Sequence, residues 1–276
     1  MLRQRAISAA ILVPPLLVIL ALGGVWIAAI VAVATGLAAV EVFRLARAAG
    51  YPSVPALGTV LAVAVVADAA VPELVPGSGL LLGAVGFILI AVATFASHDP
   101  REGLATWMTT VFGALYVALL GFVVRLGEAV PDLPASAALG WLGAQRGWIL
   151  LLVVGVWSFD TGAFFIGRRF GHRRFLTHIS PSKTWAGLVG GLVAVTLVVA
   201  VMLWGLGQPA AMGLLLGPLV GLAAQAGDLA ESMLKRAAGA KDSGNLIPGH
   251  GGILDRIDSF LFAAPIVTLY VVAAVR

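Results

Sequence analysis

Nine apolar runs, each about the length a helix needs to cross the hydrocarbon core of a bilayer, leave this chain little choice of architecture. They lie near 6–22, 25–43, 56–71, 79–96, 104–124, 147–167, 185–206, 211–230 and 259–275. Inside hydrocarbon a segment must satisfy its own backbone polar groups, so such runs fold as helices. Only 11% of the 276 residues are charged, against about a quarter in soluble domains. A soluble protein with one very large core does not fit that composition. The expected fold is therefore all-α: a polytopic membrane bundle of about nine transmembrane helices, forming one integral domain over 1–276. Pro14 and Pro15 are expected to kink the first span, and Pro72, Pro76 and Gly77 to turn the chain between the third and fourth. Arg3 and Arg5 before an apolar run resemble the start of a signal peptide, but no convincing small-residue cleavage site precedes a polar mature domain. The absence of cysteine excludes disulfide and thiol chemistry.

Charge placement tests the count. With nine spans, 14 of the 17 Lys and Arg residues fall on the side that holds the N-terminus. Arg125, Arg146 and Arg276 fall on the other. Basic loops mark the cytoplasmic face, so the N-terminus is expected inside and the C-terminus outside. The sequence pI near 10.0 is explained by this topology, and no nucleic-acid partner is expected.

The unusual polar residues gather toward that cytoplasmic side. Asp160 stands in the sixth span, in Trp157-Ser158-Phe159-Asp160-Thr161-Gly162, where a carboxylate needs a cavity or a partner. It serves either a structural pairing or a site. The next loop is basic, and topology alone accounts for Arg173 and Arg174. Ser180-Pro181-Ser182-Lys183-Thr184 opens the seventh span, and such a cluster at a helix start suits a phosphate. His172 and His178 complete no zinc pattern and read as surface residues. Gly187 and Gly191 read as helix packing. Asp228, Glu231 or Ser232, and Lys235 recur at helical spacing and form one polar stripe.

The stretch from Ser232 to Asp258 carries the densest chemistry. It sets Lys235, Arg236, Lys241 and Arg256 against Asp242, Asp255 and Asp258, with His250 among Gly249, Gly251 and Gly252. Cations suit phosphates, and carboxylates without cysteine suit a hard ion such as Mg²⁺. Glycines let the backbone approach a ligand closely. A site of this kind at the bilayer surface points to phosphoryl or nucleotidyl chemistry on a lipid phosphate.

Ser232-x-Leu234-Lys235-Arg236, Lys241-Asp242-x-Gly244 and Pro248-x-His250-Gly251-Gly252-Ile253-x-Asp255-Arg256-Ile257-Asp258 together resemble the signature of the phosphatidate cytidylyltransferases, the CDP-diacylglycerol synthases. The likeness runs through 27 consecutive residues. Asp160-Thr161-Gly162-Ala163-Phe164, Ser180-Pro181-Ser182-Lys183-Thr184-Trp185 and Gln225-Ala226-Gly227-Asp228 resemble the family in the same order. The first hundred or so residues match only in hydropathy. The resemblance therefore makes 1–146 mainly structural and 147–276 the catalytic half, with its signature at 232–258. One departure is Ala186, where family members commonly carry a polar or acidic residue, so any side-chain role there is absent or taken by a neighbour.

The resemblance implies that CTP and phosphatidate react to give CDP-diacylglycerol and pyrophosphate, with Mg²⁺ required. It leaves room for a second, monovalent cation and for a homodimer. It implies a bacterial-type inner membrane as the location, with the site facing the cytoplasm. Carried over residue by residue, Asp228 and Asp255 bind metal, and Lys235, Arg236, Lys241 and Arg256 contact phosphates. Ser180, Lys183 and Thr184 do the same, Asp242 joins the substrate-binding set, and Asp258 joins the catalytic one. His250 either donates to a phosphate or leaving group, or only shapes the glycine loop. Two other classes fit less well. A transporter needs carboxylates through the whole bilayer depth, whereas here the far half is apolar. The Asp-Gly-x-x-Ala-Arg motif of CDP-alcohol phosphotransferases is absent.

Overall fold

The computed structural model describes residues 11, 14–71 and 78–275. The start of the first expected span with Arg3 and Arg5, the turn at Pro72, Pro76 and Gly77, and Arg276 lie outside them. The kink expected at Pro14 and Pro15 falls at their edge. Among the described residues there is no strand, only the isolated antiparallel bridges Arg174 with Thr184 and Ile247 with Gly251.

A helical stretch over 14–22 is broken by Gly23 and Gly24, whose φ values of 71° and 48° suit glycine alone. Then follow α1 (Gly24–Ala48), α2 (Pro55–Ala69), α3 (Ser78–Thr94), α4 (Pro100–Ala118) and α5 (Gly121–Ala129). After these come α6 (Ala144–Phe170), α7 (Trp185–Gly205), α8 (Gly213–Ala237) and α9 (Leu254–Tyr270). Local chemistry sets the starts. Pro55 and Pro100 open α2 and α4, where a missing N–H costs nothing. Asp99 caps α4 by accepting from the Arg101 N–H at 2.8 Å, and Thr184 caps α7 by accepting from the Gly187 N–H at 3.1 Å.

Among the described residues six helical segments are long and apolar enough to cross a membrane: Gly24–Ala48, Pro100–Gly127, Ala144–Phe170, Trp185–Gly205, Ala210–Ala237 and Leu254–Val275. The expected count of about nine is not confirmed. The runs near 56–71 and 79–96 do form apolar helices, but α2 has 15 residues and α3 has 17. At 1.5 Å per residue both fall short of a hydrocarbon core of about 30 Å. The first run lies largely outside the described residues. The protein is a multi-pass, all-helical membrane protein.

The chain divides into two compact units, and α8 and α9 contribute to both. One holds residues 1–124 and 234–257, and the other holds 125–233 and 258–276. In the first, the fully buried Phe43 ring of α1 sits against Gly58 of α2 and Gly113 of α4, where a β-carbon would collide with it. Close packing of large rings onto glycine is how helices associate where lipid removes the hydrophobic drive. In the second unit the same device joins α6 and α7. A β-carbon on Gly191 would lie 2.8 Å from the Phe159 ring, and one on Gly187 would lie 2.9 Å from the Ala163 carbonyl. Gly187 and Gly191 thus serve packing, as their spacing suggested. Pro218 in α8 and Pro265 in α9 are tolerated within helices buried against neighbours.

Candidate active site

The unit formed by 125–233 and 258–276 holds a cavity of about 380 Å³ walled by both polar and apolar residues. Asp160, Phe164, Gly167 and Arg168 reach it from α6, Ser182 and Lys183 from the preceding loop, Thr184 and Gly187 from the start of α7, and Gln225 from α8. Lys183 forms an ion pair with Asp228 Oδ2. The other oxygen of Asp228 accepts from the Ser232 hydroxyl one helical turn on, at 3.3 Å. Both partners of the pair are partly open, with side chains 22% and 24% exposed. The charges of Lys183 and Asp228 both act on Asp160. Gln225 is buried, and among the described residues its amide nitrogen has no hydrogen-bond partner. Ser180 is buried in a turn, its N–H donating to the Leu176 carbonyl. The Thr184 hydroxyl is the cap already described.

An apolar groove of about 800 Å³ also runs along α6 and α7, lined by Gly162, Phe165, Ile166, Trp185, Val189 and Ala186 among others. Ala186 is thus part of an apolar wall. His172 and His178 are exposed, as surface residues should be.

The other unit holds a denser network. Lys235, near the end of α8, donates to Asp255 Oδ1 at 2.7 Å. Asp255 Oδ2 accepts from the Ser243 N–H at 2.9 Å, the Ser243 hydroxyl at 2.8 Å and the Gly252 N–H at 2.8 Å. Its side chain is 7% exposed. The loop between α8 and α9 is folded back by these bonds. Gly251 takes φ 81°, and a β-carbon there would stand 2.5 Å from the Asp255 carboxylate. Arg256 donates twice to the His250 carbonyl, at 2.9 and 2.7 Å, so the His250 backbone helps to shape the glycine loop. Arg236 donates to the Ala240 carbonyl at 3.3 Å, and Lys241 and Asp242 are exposed.

The sequence-predicted residues fall into these two groups. Lys183, Thr184 and Asp228 cluster with Asp160 in one unit, where Asp258 also lies, its carboxylate accepting from the Ser259 N–H at 2.7 Å. Lys235, Asp255, Arg256 and His250 cluster in the other. Two features went unpredicted. Two of the three lysines expected at phosphates, Lys183 and Lys235, hold a carboxylate. And Glu41, in α1, accepts from Ser243, Ile253 and Leu254, placing a residue of the N-terminal half inside the signature loop. Its signal was an acid flanked by Val40 and Val42 in an otherwise apolar span.

A model of the cytidylyltransferase family matches residues 3–274. The phosphatidate cytidylyltransferase of Synechocystis is 36% identical, over 98% of this chain and 96% of its own length. That of Pseudomonas aeruginosa is 36% identical, over 96% of this chain and 95% of its own length. The Bacillus subtilis enzyme of that name is 46% identical over a shorter region, 43% of this chain and 45% of its own length. A match of this extent, with one lysine–aspartate pair and the glycine loop inside the 232–258 signature and a second pair in the upstream elements, assigns the chain: it belongs to the cytidylyltransferase family.

Proposed function

We propose that this protein transfers CMP from CTP to phosphatidate, giving CDP-diacylglycerol and pyrophosphate in phospholipid biosynthesis. The observation that carries this is the similarity, over nearly the whole chain, to phosphatidate cytidylyltransferases. An oxygen of the lipid phosphate attacks the α-phosphorus of CTP. One P–O bond forms, the bond to the β-phosphate breaks, and pyrophosphate leaves with its electron pair. A phosphate monoester is already anionic, so no strong base is needed, and catalysis rests on positioning and charge neutralisation.

The chain's own residues suit those tasks. Lys183 and Lys235 are held by carboxylates in the resting protein and exchange toward phosphate oxygens when substrate arrives. Arg236, Lys241 and Arg256 lie at the surface and meet the incoming polyphosphate. The Gln225 amide is a buried donor beside the cavity that Asp160 and Lys183 line. Asp228 and Asp255 are the carboxylates proposed for Mg²⁺. Each oxygen of Asp228 takes one donor, and Oδ1 of Asp255 takes one, so each group keeps a lone pair for a cation. Among the described residues no group of three or more acidic, His or Cys side chains could hold a metal. That suits Mg²⁺, which takes one or two carboxylates and fills its shell with phosphate and water oxygens. When bound, Mg²⁺ would neutralise phosphate charge.

The reading places the active site on the cytoplasmic side, with the N-terminus inside and the C-terminus outside, supported by the 14-to-3 division of basic residues. It is tested with purified protein in detergent, phosphatidate, labelled CTP and Mg²⁺. Labelled lipid is expected. No lipid-linked CMP with any divalent metal would show the reading to be wrong.

A further inference from the structure

The N-terminal helices looked like scaffold, yet one of them supplies a carboxylate to the signature loop. Glu41 is 5% exposed. Its Oε2 accepts from the Leu254 N–H at 2.8 Å and the Ser243 hydroxyl at 3.0 Å, and its Oε1 from the Ile253 N–H at 3.1 Å. Leu254 opens α9, so these are among the first N–H groups of that helix, which have no partner within it. A negative charge there also meets the positive end of the helix dipole. The cap comes from a residue more than 200 positions away. The loop glycines are fitted to it: a β-carbon on Gly244 would stand 2.6 Å from Glu41 Oε1, and one on Gly252 would strike both carboxylate oxygens.

The next residue of α9 is Asp255. Its Oδ2 and Glu41 Oε2 lie on either side of the same Ser243 hydroxyl, which has a single proton to share. Glu41 therefore holds the backbone on which Asp255 is mounted and the hydroxyl that Asp255 contacts. Phe43, locked against Gly58 and Gly113, fixes the register of α1 just beyond it.

We propose that Glu41 is a positioning residue for the transfer reaction. It caps α9 from α1 and fixes the 243–255 segment, so that Asp255 and its partner Lys235 are presented in one geometry. The inference rests on the reading that Asp255 and Lys235 serve catalysis.

Glu41→Gln tests it, because the side chain keeps its size while one acceptor oxygen becomes an N–H₂ facing other donors. Misplacement of a catalytic group by about 1 Å costs on the order of a hundredfold. The variant is therefore expected to lose about ten- to a hundredfold in kcat, with KM for CTP and phosphatidate changed by less than about threefold. Hydrogen–deuterium exchange at Ile253 and Leu254 is expected to quicken at least about tenfold, while the melting temperature in detergent stays within a few degrees. Unchanged exchange at 253–254 overturns the proposal, and so does faster exchange with normal kcat. A loss of activity that only follows a loss of folded protein overturns it too. If Glu41→Gln does not fold, Glu41→Asp carries the same measurements. It keeps the charge but shortens the reach, so intermediate values support the proposal and wild-type values sink it. Wild-type protein that makes no lipid-linked CMP defeats the enzyme reading and the positioning role together. An active wild type beside an equally active Glu41→Gln variant defeats the positioning role alone.

Discussion

Asp228 and Asp255 each pair with a lysine, but Asp228 takes two hydrogen-bond donors and Asp255 takes four. The first pair is partly open, and the second is nearly closed, with side-chain exposures of 22% and 24% against 12% and 7%. The difference teaches that two similar contacts can have different uses. A partly exposed ion pair contributes little to stability and exchanges partners readily. A carboxylate oxygen locked by two backbone N–H groups and a hydroxyl, as Asp255 Oδ2 is, resists exchange, and its removal leaves buried donors unsatisfied. In the proposed reading Asp228 lets go of Lys183 when phosphate and metal arrive, whereas Asp255 holds the loop through Oδ2 and keeps Oδ1 for Lys235 and the metal.

The sharpest way to break this comparison is to neutralise both residues in turn. Asp228→Asn is expected to cut turnover by on the order of a thousandfold, about 4 kcal/mol of transition-state stabilisation, while leaving thermal stability nearly unchanged. Asp255→Asn is expected to lose comparable activity and also to melt at a visibly lower temperature. Equal melting temperatures for the two variants, measured in the same detergent, would erase the distinction.

A second test presses on the closed region alone. Gly252→Ala would drive a methyl group into Glu41 and the Ser243 hydroxyl, all of them buried. Overpacking of this kind costs about 1–3 kcal/mol, and here it also displaces the backbone that carries Asp255. Turnover should fall on the order of a hundredfold, and wild-type activity in this variant would mean that the loop is looser than its contacts imply. Ser243→Ala is gentler. It removes one hydroxyl from between two carboxylates at a cost of about 1–3 kcal/mol, and roughly tenfold in rate is expected. A rate equal to that of Gly252→Ala would show that the hydroxyl, rather than the backbone fit, dominates.

Much of this was legible in the sequence, and the rest had a physical reason to be hidden. Apolar runs marked most of the helices, because hydrocarbon enforces helix wherever the chain enters it. But the run at 104–124 gave no sign of the break between α4 and α5, and α8 continues past the run that ended at 230. The span count was less legible: α2 and α3 are as apolar as their neighbours, and only their lengths separate them. Residues 232–258 stood out in the sequence as charges set among glycines between apolar spans. Their pairing was not announced. Lys183 and Asp228 are 45 positions apart, and Lys235 and Asp255 are 20 apart, so only the helix packing brings each pair together. Glu41 lay further out of reach, 202 positions from Ser243. A lone acid in an apolar span demands a partner, but nothing in its own neighbourhood says which.

The smallest expected effect belongs to Asp160, and it sharpens the view of the open region. Asp160 lines the same cavity as Lys183 and lies within the electrostatic reach of both members of the Lys183–Asp228 pair. An acid beside that pair can matter in two ways. It can attract Lys183 and so ease its release from Asp228, or it can repel Asp228 and add to the negative charge that a cation must offset. Both act through charge rather than shape, so Asp160→Asn, which keeps the shape, isolates them. Because Asp160 makes no bond to the reacting phosphates in this reading, the loss should be only a few-fold in turnover. The Mg²⁺ dependence should carry the signature: with one negative charge gone from the cavity, half-maximal activity is expected at a higher Mg²⁺ concentration. Titration of Mg²⁺ in the lipid-linked CMP assay checks this. A loss as large as that of Asp228→Asn would move Asp160 from the cavity wall into the group that meets metal or phosphate, and the open region would then hold two exchanging carboxylates rather than one.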